Sequence, residues 1–582
     1  MTPGHWTCRS PAVFDTTSMQ ISMPTTEKTR GMGMATTVTE SSDENHPSLA
    51  QPARIAWSVD VVVAIALSGV VLLASRRALA PDGLWRDDAW PALSTRVDSY
   101  ATAFRMGGTA PGWTALLRAW SKVAGNSPLA LQLPPLLAGM ALPPLVVLLA
   151  RRLGLGRMGA FVAGGVVATS PVVILYSTRV KQYTLDGVSS CVALLLVLWL
   201  LEAPREGRRW WITVAAAELS LVISASPAIV WVSGLLWGGI ALVSHGKGRS
   251  AAVGLSLYLV SAGGMFLLVS HWVGRAVLHQ FWVQAEAFLT PDLHSVGTVA
   301  ARLGGGLVAA PSRFAHPAAL LAIAVCAVGS LALTAQWCRE ARTGVRTWLS
   351  PPHALALTAT PMLAALALAA LSVVPLGTGR TDLYLYPGLA LLIGATVDLM
   401  ARAGRERLGS VALPFVSVGV VLLCTFVVIR PVQYPAFPVA AEEGRILVGL
   451  GPQDHIVVLQ ATTYCWALAA PSDAGVGIRD DPASATGWTP TLADPRITSI
   501  SDGVYLGPAS EVGRAALRSG LQQLDSALGT GRRLAKVTLV GTASPPLLTP
   551  AEFAQRLAAD GLTKTSSRTV GDVVTDVWTR VP

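Results

Sequence analysis

The chain has 582 residues, of which 52% are hydrophobic and only 13% charged, and it carries a formal net charge of +10 at pH 7. Soluble domains carry about 25% charged residues, so this balance argues against a string of soluble domains. The positive charge does not point to nucleic acid either. The basic residues form no stripe that could follow a phosphate backbone; they sit in short clusters between apolar runs, where such residues set membrane topology.

Residues 1–53 are polar and rich in Thr, Ser, Met and Pro. They lack the charged start, apolar core and small-residue cleavage site of a signal peptide and read as a disordered cytoplasmic tail. Met19, Met23, Met32 and Met34 leave the position of the true start open. The six cysteines are scattered, with no CxxC or Cys/His spacing, so neither a zinc site nor a disulfide is expected.

Eleven apolar runs follow, at residues 57–79, 128–150, 157–176, 184–201, 210–225, 227–244, 250–272, 317–337, 352–374, 383–401 and 410–429. About 20 apolar residues cross a bilayer core of about 30 Å as a helix, and backbone groups in lipid must be paired within the segment. Eleven spanning helices are therefore predicted. Residues 111–123 are amphipathic, with Arg118 and Lys122 on one side, and read as an interfacial helix.

Five basic clusters lie between runs: Arg151, Arg152 and Arg157; Arg205, Arg208 and Arg209; Lys247 and Arg249; Arg339, Arg342 and Arg346; and Arg402, Arg405 and Arg407. With the N-terminus inside a cell (plasma) membrane, eleven spans put all five in the cytoplasm. Residues 80–127, 177–183, 273–316, 375–382 and the C-terminal part then lie outside. From about residue 431 the pattern changes. IVVL at 456–459 and KVTLVG at 536–541 read as buried strands, and 512–528 and 550–561 as amphipathic helices. The expected organisation is a tail (1–53), a membrane domain (54–430) and a small extracytoplasmic α/β domain (431–582).

Charges out of place near lipid carry the functional signal. Leu84-Trp85-Arg86-Asp87-Asp88-Ala89-Trp90 puts two carboxylates just beyond the first span. They read either as a solvated loop or as a base that takes a proton from an acceptor hydroxyl. A divalent cation beside Asp87 and Asp88 is the one cofactor this reading allows. Tyr176 to Asp186 puts Arg179 and Lys181 on the outer side, against the usual charge bias. They suit lipid headgroups or a phosphate, which Arg grips with a fork and Lys as a point charge; Tyr183 adds a hydroxyl or a stacking face. Gly377 to Pro387 places Arg380, Asp382 and Tyr384 at another helix mouth, and His279, Phe281, Trp282 and Glu286 lie in the long outer loop.

In order and identity these features resemble the membrane glycosyltransferases of the GT-C superfamily. The likeness is to the bacterial branch related to protein O-mannosyltransferases and Rgt-like lipopolysaccharide glycosyltransferases. The acidic pair matches Asp87 and Asp88. A Pro-containing helix start matches Thr109-Ala110-Pro111-Gly112-Trp113, and an apolar hairpin matches Leu129 to Arg152. An SP…YS…KQY segment matches Ser170-Pro171, Tyr176-Ser177 and Lys181-Gln182-Tyr183. Two positions depart: the family often has an acid where this chain has Arg179, and its His-Pro-Pro is here Ala110-Pro111-Gly112.

The resemblance covers roughly 57–430 and implies a sugar donor on a polyprenyl monophosphate and a cell-envelope acceptor attacking from the outer face. It implies Asp87 or Asp88 as base, and Lys181, Arg179, Arg380 and Tyr183 around the donor phosphate. Gln182, His279, Trp282, Asp382 and Tyr384 would line the substrate cavity. Two alternatives stay open, a lipid or solute transporter or flippase and a catalytically silent scaffold of envelope assembly.

Overall fold

A computed structural model describes residues 57–76, 78–79, 84, 86–107, 110–272, 275–290, 292–308, 315–342, 351–408, 412–429, 451–459, 467, 476–481, 484, 486–500, 511–529, 536–542, 551–570 and 573–580. The expected tail, Trp85, Thr109 and the boundary near 431 lie outside the described residues.

The chain is an α-helical polytopic membrane protein with a small α/β domain. Its helices run α1 (Trp57–Ser75), α2 (Arg86–Ser94), α3 (Tyr100–Gly107), α4 (Pro111–Ala124), α5 (Pro128–Arg152), α6 (Arg157–Thr169), α7 (Pro171–Tyr176), α8 (Tyr183–Glu202), α9 (Gly207–Ile223) and α10 (Ala228–Ser244). Then come α11 (Gly248–Trp272), α12 (Arg275–Gln284), α13 (Leu293–Leu307), α14 (Ala315–Arg342), α15 (Pro351–Ala370), a 3₁₀ turn (Leu383–Leu385), α16 (Tyr386–Leu408) and α17 (Ala412–Ile429).

Among the described residues four helical stretches are long and apolar enough to cross a bilayer, Pro128–Arg152, Tyr183–Glu202, Gly248–His271 and Leu383–Ala401. Six further apolar helices extend over 10–17 residues. The expectation of eleven full-length spans is corrected accordingly, and local chemistry accounts for part of the difference. Ser170 is extended (φ −60°, ψ 120°) ahead of Pro171, which splits the run 157–176 into α6 and α7. Helices α9 and α10 have 17 residues each, about 25 Å at 1.5 Å per residue, short of a 30 Å core.

Helix α5 continues through Pro134, Pro135, Pro143 and Pro144. Each proline leaves the carbonyl four residues earlier without its helical donor, and lipid offers no substitute. Neighbours supply two: Trp120 Nε1 donates to the Ala130 carbonyl at 2.8 Å, and Ser68 Oγ to the Met140 carbonyl at 2.8 Å. Helices α6 and α16 cross closely enough that a Cβ on Gly159 would stand 2.7 Å from the Gly394 carbonyl.

Three basic clusters meet at one end of the bundle. Arg151 lies 3.3 Å and Arg157 3.8 Å from Asp60; Arg152 lies 2.9 Å and Arg209 3.8 Å from Glu202. Lys247 donates to the Arg205 carbonyl. The side chains of the other two clusters, at 339–346 and 402–407, lie outside the described residues.

The α/β domain contains β1 (Asp454–Val458), β2 (Val476–Asp480), β3 (Trp488–Leu492), β4 (Ile497–Ser499), α18 (Glu511–Leu528), β5 (Lys536–Thr542), α19 (Ala551–Ala559), β6 (Leu562–Val570) and β7 (Val573–Arg580). The expected strands are β1 and β5 and the expected helices α18 and α19. The main sheet has the order β4-β1-β5-β7-β6; β1 is parallel to β4 and β5, and β7 is antiparallel to β5 and β6. Strands β2 and β3 form a separate antiparallel pair.

The domain does not stand clear of the membrane part. Ala89 and Leu93 of α2, Val97, and Ala103 and Met106 of α3 share one buried core with Ile456, Val458, Ala467 and Trp488. Arg105 of α3 also pairs with Asp480 of β2. Residues in 86–107 thus pack with the C-terminal domain.

Candidate functional site

Three segments far apart in sequence meet at the end of the bundle opposite Asp60 and Glu202. Helix α2 brings Asp87 and Asp88 in its first turn, where the helix dipole favours carboxylates. The link between α7 and α8 brings Arg179, Lys181 and Gln182, and the turn before α16 brings Arg380 and Asp382.

Arg380 Nη1 donates to Asp87 Oδ2 at 2.8 Å across 293 residues of chain. Its guanidinium carbon stands 4.4 Å from the ring centroid of Trp282 and 5.5 Å from that of Phe281, geometry that stabilises a partly desolvated cation. Asp87 and Arg380 keep side-chain exposures of 21% and 17%, so this pair remains open to solvent.

Asp88 is fully buried. One oxygen accepts from the Val180 N–H at 3.1 Å; the other lies 3.7 Å from Arg179 Nη1 and has no hydrogen-bond partner among the described residues. Burial drives its carboxyl up from 3.8 to about 7, against the pull of Arg179 and Lys181; the neighbouring Asp87 adds a smaller upward push. The two adjacent acids thus differ in burial, Asp87 partly exposed and Asp88 enclosed. Lys181 is buried too, with Nζ 3.8 Å from the Trp90 ring centroid. Burial lowers its ammonium to about 8, opposed by Asp87 and Asp88.

Arg179 and Lys181 are both buried, so neither is a headgroup anchor on the outer surface. Tyr183 joins the cluster edge-on to Tyr176, at 5.0 Å between ring centroids. Gln182 is buried with its Oε1 unpartnered among the described residues. Trp282 is drawn in by Arg380. Asp382 is fully buried and accepts from Gly377 N at 2.8 Å and Thr378 Oγ1 at 3.1 Å, so it ties the turn. Burial raises its carboxyl to about 6. The two glycines of this turn have φ of 70° and 71°, the left-handed region that favours glycine.

Tyr384 is buried beneath the turn, and its hydroxyl has no partner among the described residues. His279 is exposed and stacks on Phe288 at 5.3 Å.

Two residues escaped the sequence reading. Trp90 lies three residues after Asp87, the spacing that puts both on one helix face, and this was the available signal. Arg118 was read with Lys122 as one polar side of an interfacial helix; it is buried. Its Nη1 donates to the carbonyls of Ser94 (2.6 Å) and Val97 and its Nη2 to that of Asp98 (3.2 Å), while Tyr100 covers its guanidinium at 4.5 Å. Lone carbonyls at the end of α2 are the cause, and their position cannot be read from a local pattern.

Among the described residues no group of three or more His, Cys, Asp or Glu is arranged to hold a metal. Asp87 and Asp88 turn instead to Arg380 and Arg179, so positive charge already balances them. Chemically, the site combines a solvent-open carboxylate with three cations that suit a phosphate.

Residues 109–273 match the model of the dolichyl-phosphate-mannose-protein mannosyltransferase family. The match covers well under half of the chain. It takes in Arg179, Lys181, Gln182 and Tyr183 but not Asp87, Asp88, Trp282 or Arg380. No curated protein matches the chain.

Among solved structures, the chain is similar to ArnT from Cupriavidus metallidurans bound to undecaprenyl phosphate, at 14% identity and a TM-score of 0.49, over 89% of this chain and 97% of that one. It is also similar to the oligosaccharyltransferase AglB from Archaeoglobus fulgidus, in complex with an inhibitory peptide and a dolichol-phosphate. That likeness has 11% identity and a TM-score of 0.45, over 82% of this chain and 69% of that one. Both TM-scores fall below 0.5, so neither likeness adds weight to a functional reading.

Proposed function

We propose that the chain is a GT-C-type membrane glycosyltransferase, which moves a sugar from a polyprenyl-phosphate-linked donor to a cell-envelope acceptor on the extracytoplasmic face. One observation carries the proposal: Asp87, Asp88, Arg179, Lys181 and Arg380, from three separate segments, converge at the end of the bundle opposite the basic clusters. The family match over 109–273 supports it at the level of the superfamily and does not choose a branch.

In this reading the acceptor hydroxyl attacks the anomeric carbon and its proton passes to Asp87, the more accessible carboxylate. The new bond joins acceptor oxygen to anomeric carbon, and configuration inverts. The bond from anomeric carbon to phosphate oxygen breaks, and its electron pair leaves on the phosphate. Lys181, which is buried, and Arg380, which is partly exposed, receive that developing charge as fixed cations. Asp88 holds the Val180 backbone and faces Arg179, so it keeps the cationic link in register.

The test is purified full-length protein in lipid nanodiscs, given polyprenyl-phosphate sugars and envelope acceptors. Release of polyprenyl phosphate together with a glycosylated acceptor is the expected result. Consumption of no donor of this class overturns the reading. The transport alternative draws on Glu218, an intramembrane carboxylate whose Oε1 has no partner among the described residues; lipid flux into liposomes without sugar transfer would favour it.

A further inference from the structure

The α/β domain shares its core with the helix that carries the acidic pair, and that junction has a consequence for the reaction. Helix α2 has nine residues, about 13 Å at 1.5 Å per residue, with Asp87 and Asp88 at its start. Pro91 lies inside it and has no N–H to return to the Asp87 carbonyl. A helix this short is marginal by itself, so its position depends on what packs against it.

Two holds are visible. On the membrane side, Arg118 gathers the carbonyls of Ser94, Val97 and Asp98 where α2 ends. On the domain side, Ala89, immediately after Asp88, and Leu93 are fully buried in the core they share with Met106 of α3 and with Ile456, Val458 and Trp488 of the domain. These four partners include Trp488, a fully buried indole, and Met106, fully buried at the end of α3.

We infer that the α/β domain is a positioning element for the acidic pair: its packing on α2 and α3, centred on Trp488 and Met106, fixes where Asp87 and Asp88 stand relative to Arg380 and Lys181. This rests on the glycosyltransferase reading for its kinetic consequence but not for its structural one. Met106 and Trp488 are positioning residues, since they act on the acidic pair through the core they share with α2 and α3. Close placement matters because a shift of about 1 Å remote from the chemistry can cost about 100-fold in rate.

The same packing keeps Asp88 dry. The groups facing its carboxyl are Asp87 on its own helix, and Arg179, Lys181 and the Val180 N–H on the α7–α8 link. A loosened α2 admits water and relaxes the burial that lifts this carboxyl to about 7.

The experiment compares wild type, Met106→Ala and Trp488→Ala as full-length proteins. Three quantities are read: hydrogen exchange over 89–94, affinity for undecaprenyl phosphate, and the pH profile of kcat. Faster exchange in both variants, undecaprenyl phosphate affinity no weaker than wild type, a kcat loss of tenfold or more and an acid limb moved to lower pH are expected. Trp488 belongs to β3 as well, so Met106→Ala keeps the test decisive where Trp488→Ala unfolds the domain; intact exchange protection in β1 and β5 verifies that the domain is folded. Unchanged exchange over 89–94 in Met106→Ala, or faster exchange with unchanged kcat and pH limb, overturns the inference. A wild type that consumes no polyprenyl-phosphate sugar overturns the glycosyltransferase reading, and exchange over 89–94 still decides whether the domain holds α2.

Discussion

Asp88→Asn separates two effects of opposite sign. Asn keeps the size of the side chain and an oxygen for the Val180 N–H, and removes only the charge beside Arg179, 3.7 Å away. Breaking a buried ion pair usually destabilises a protein by about 3–5 kcal/mol. Here burial outweighs the pairing, because the carboxyl sits at about 7 even with Arg179 and Lys181 beside it. A rise from 3.8 to about 7 means that ionising Asp88 in the folded state is about 4 kcal/mol less favourable than in the unfolded chain.

A carboxyl raised by folding contributes its stability in full below about pH 4. That contribution is lost as pH rises through 7. Asp88→Asn is therefore as stable as wild type at pH 4 and more stable at pH 8, by up to about 4 kcal/mol. Thermal midpoints in detergent between pH 4 and 8 measure this. Activity moves the other way: the acid limb of transfer near pH 7 disappears, and the variant stays at the low rate of the protonated wild type. A midpoint at pH 8 below that of wild type, or an acid limb near pH 7 retained in the variant, would refute the reasoning.

Three other perturbations follow from named contacts. Lys181→Met removes the ammonium beside Trp90 and lowers transfer by about 10²–10³, with weaker undecaprenyl phosphate binding measured by fluorescence titration. Asp87→Asn abolishes proton acceptance but frees Arg380 from its 2.8 Å bond, so transfer falls while undecaprenyl phosphate binds more tightly; weaker binding counts against a phosphate role for Arg380. Gly159→Ala puts a methyl 2.7 Å from the Gly394 carbonyl and 2.8 Å from Asp398 Cβ, costing about 1–3 kcal/mol, seen as a lower thermal midpoint with the pH profile of transfer unchanged.

Membrane character and the identity of the α/β elements were legible because they depend on local runs and periods. IVVL and KVTLVG stand in β1 and β5, and the amphipathic patterns stand in α18 and α19. Strand β6 was missed because LTKTSSRTV is an edge strand with little apolar alternation to betray it. The span count failed where one proline or a 17-residue helix interrupts an apolar run.

The acidic pair and the three cations stood out as charges near lipid, but their partners did not. That Asp87 meets Arg380, that Asp88 is the dry member, and that Arg118 turns inward to backbone carbonyls are all decided by packing between distant segments. The docking of the domain on α2 was invisible for the same reason, since Ala89 and Met106 are ordinary residues until they share a core with Ile456, Val458 and Trp488.

A structure of the protein with bound undecaprenyl phosphate tests the central claim most directly. The account predicts the phosphate within hydrogen-bond distance of Lys181 Nζ and the Arg380 guanidinium, with Asp87 drawn off Arg380 and facing the space above the phosphate. A phosphate seated away from both cations, with the Asp87–Arg380 bond intact, would contradict it.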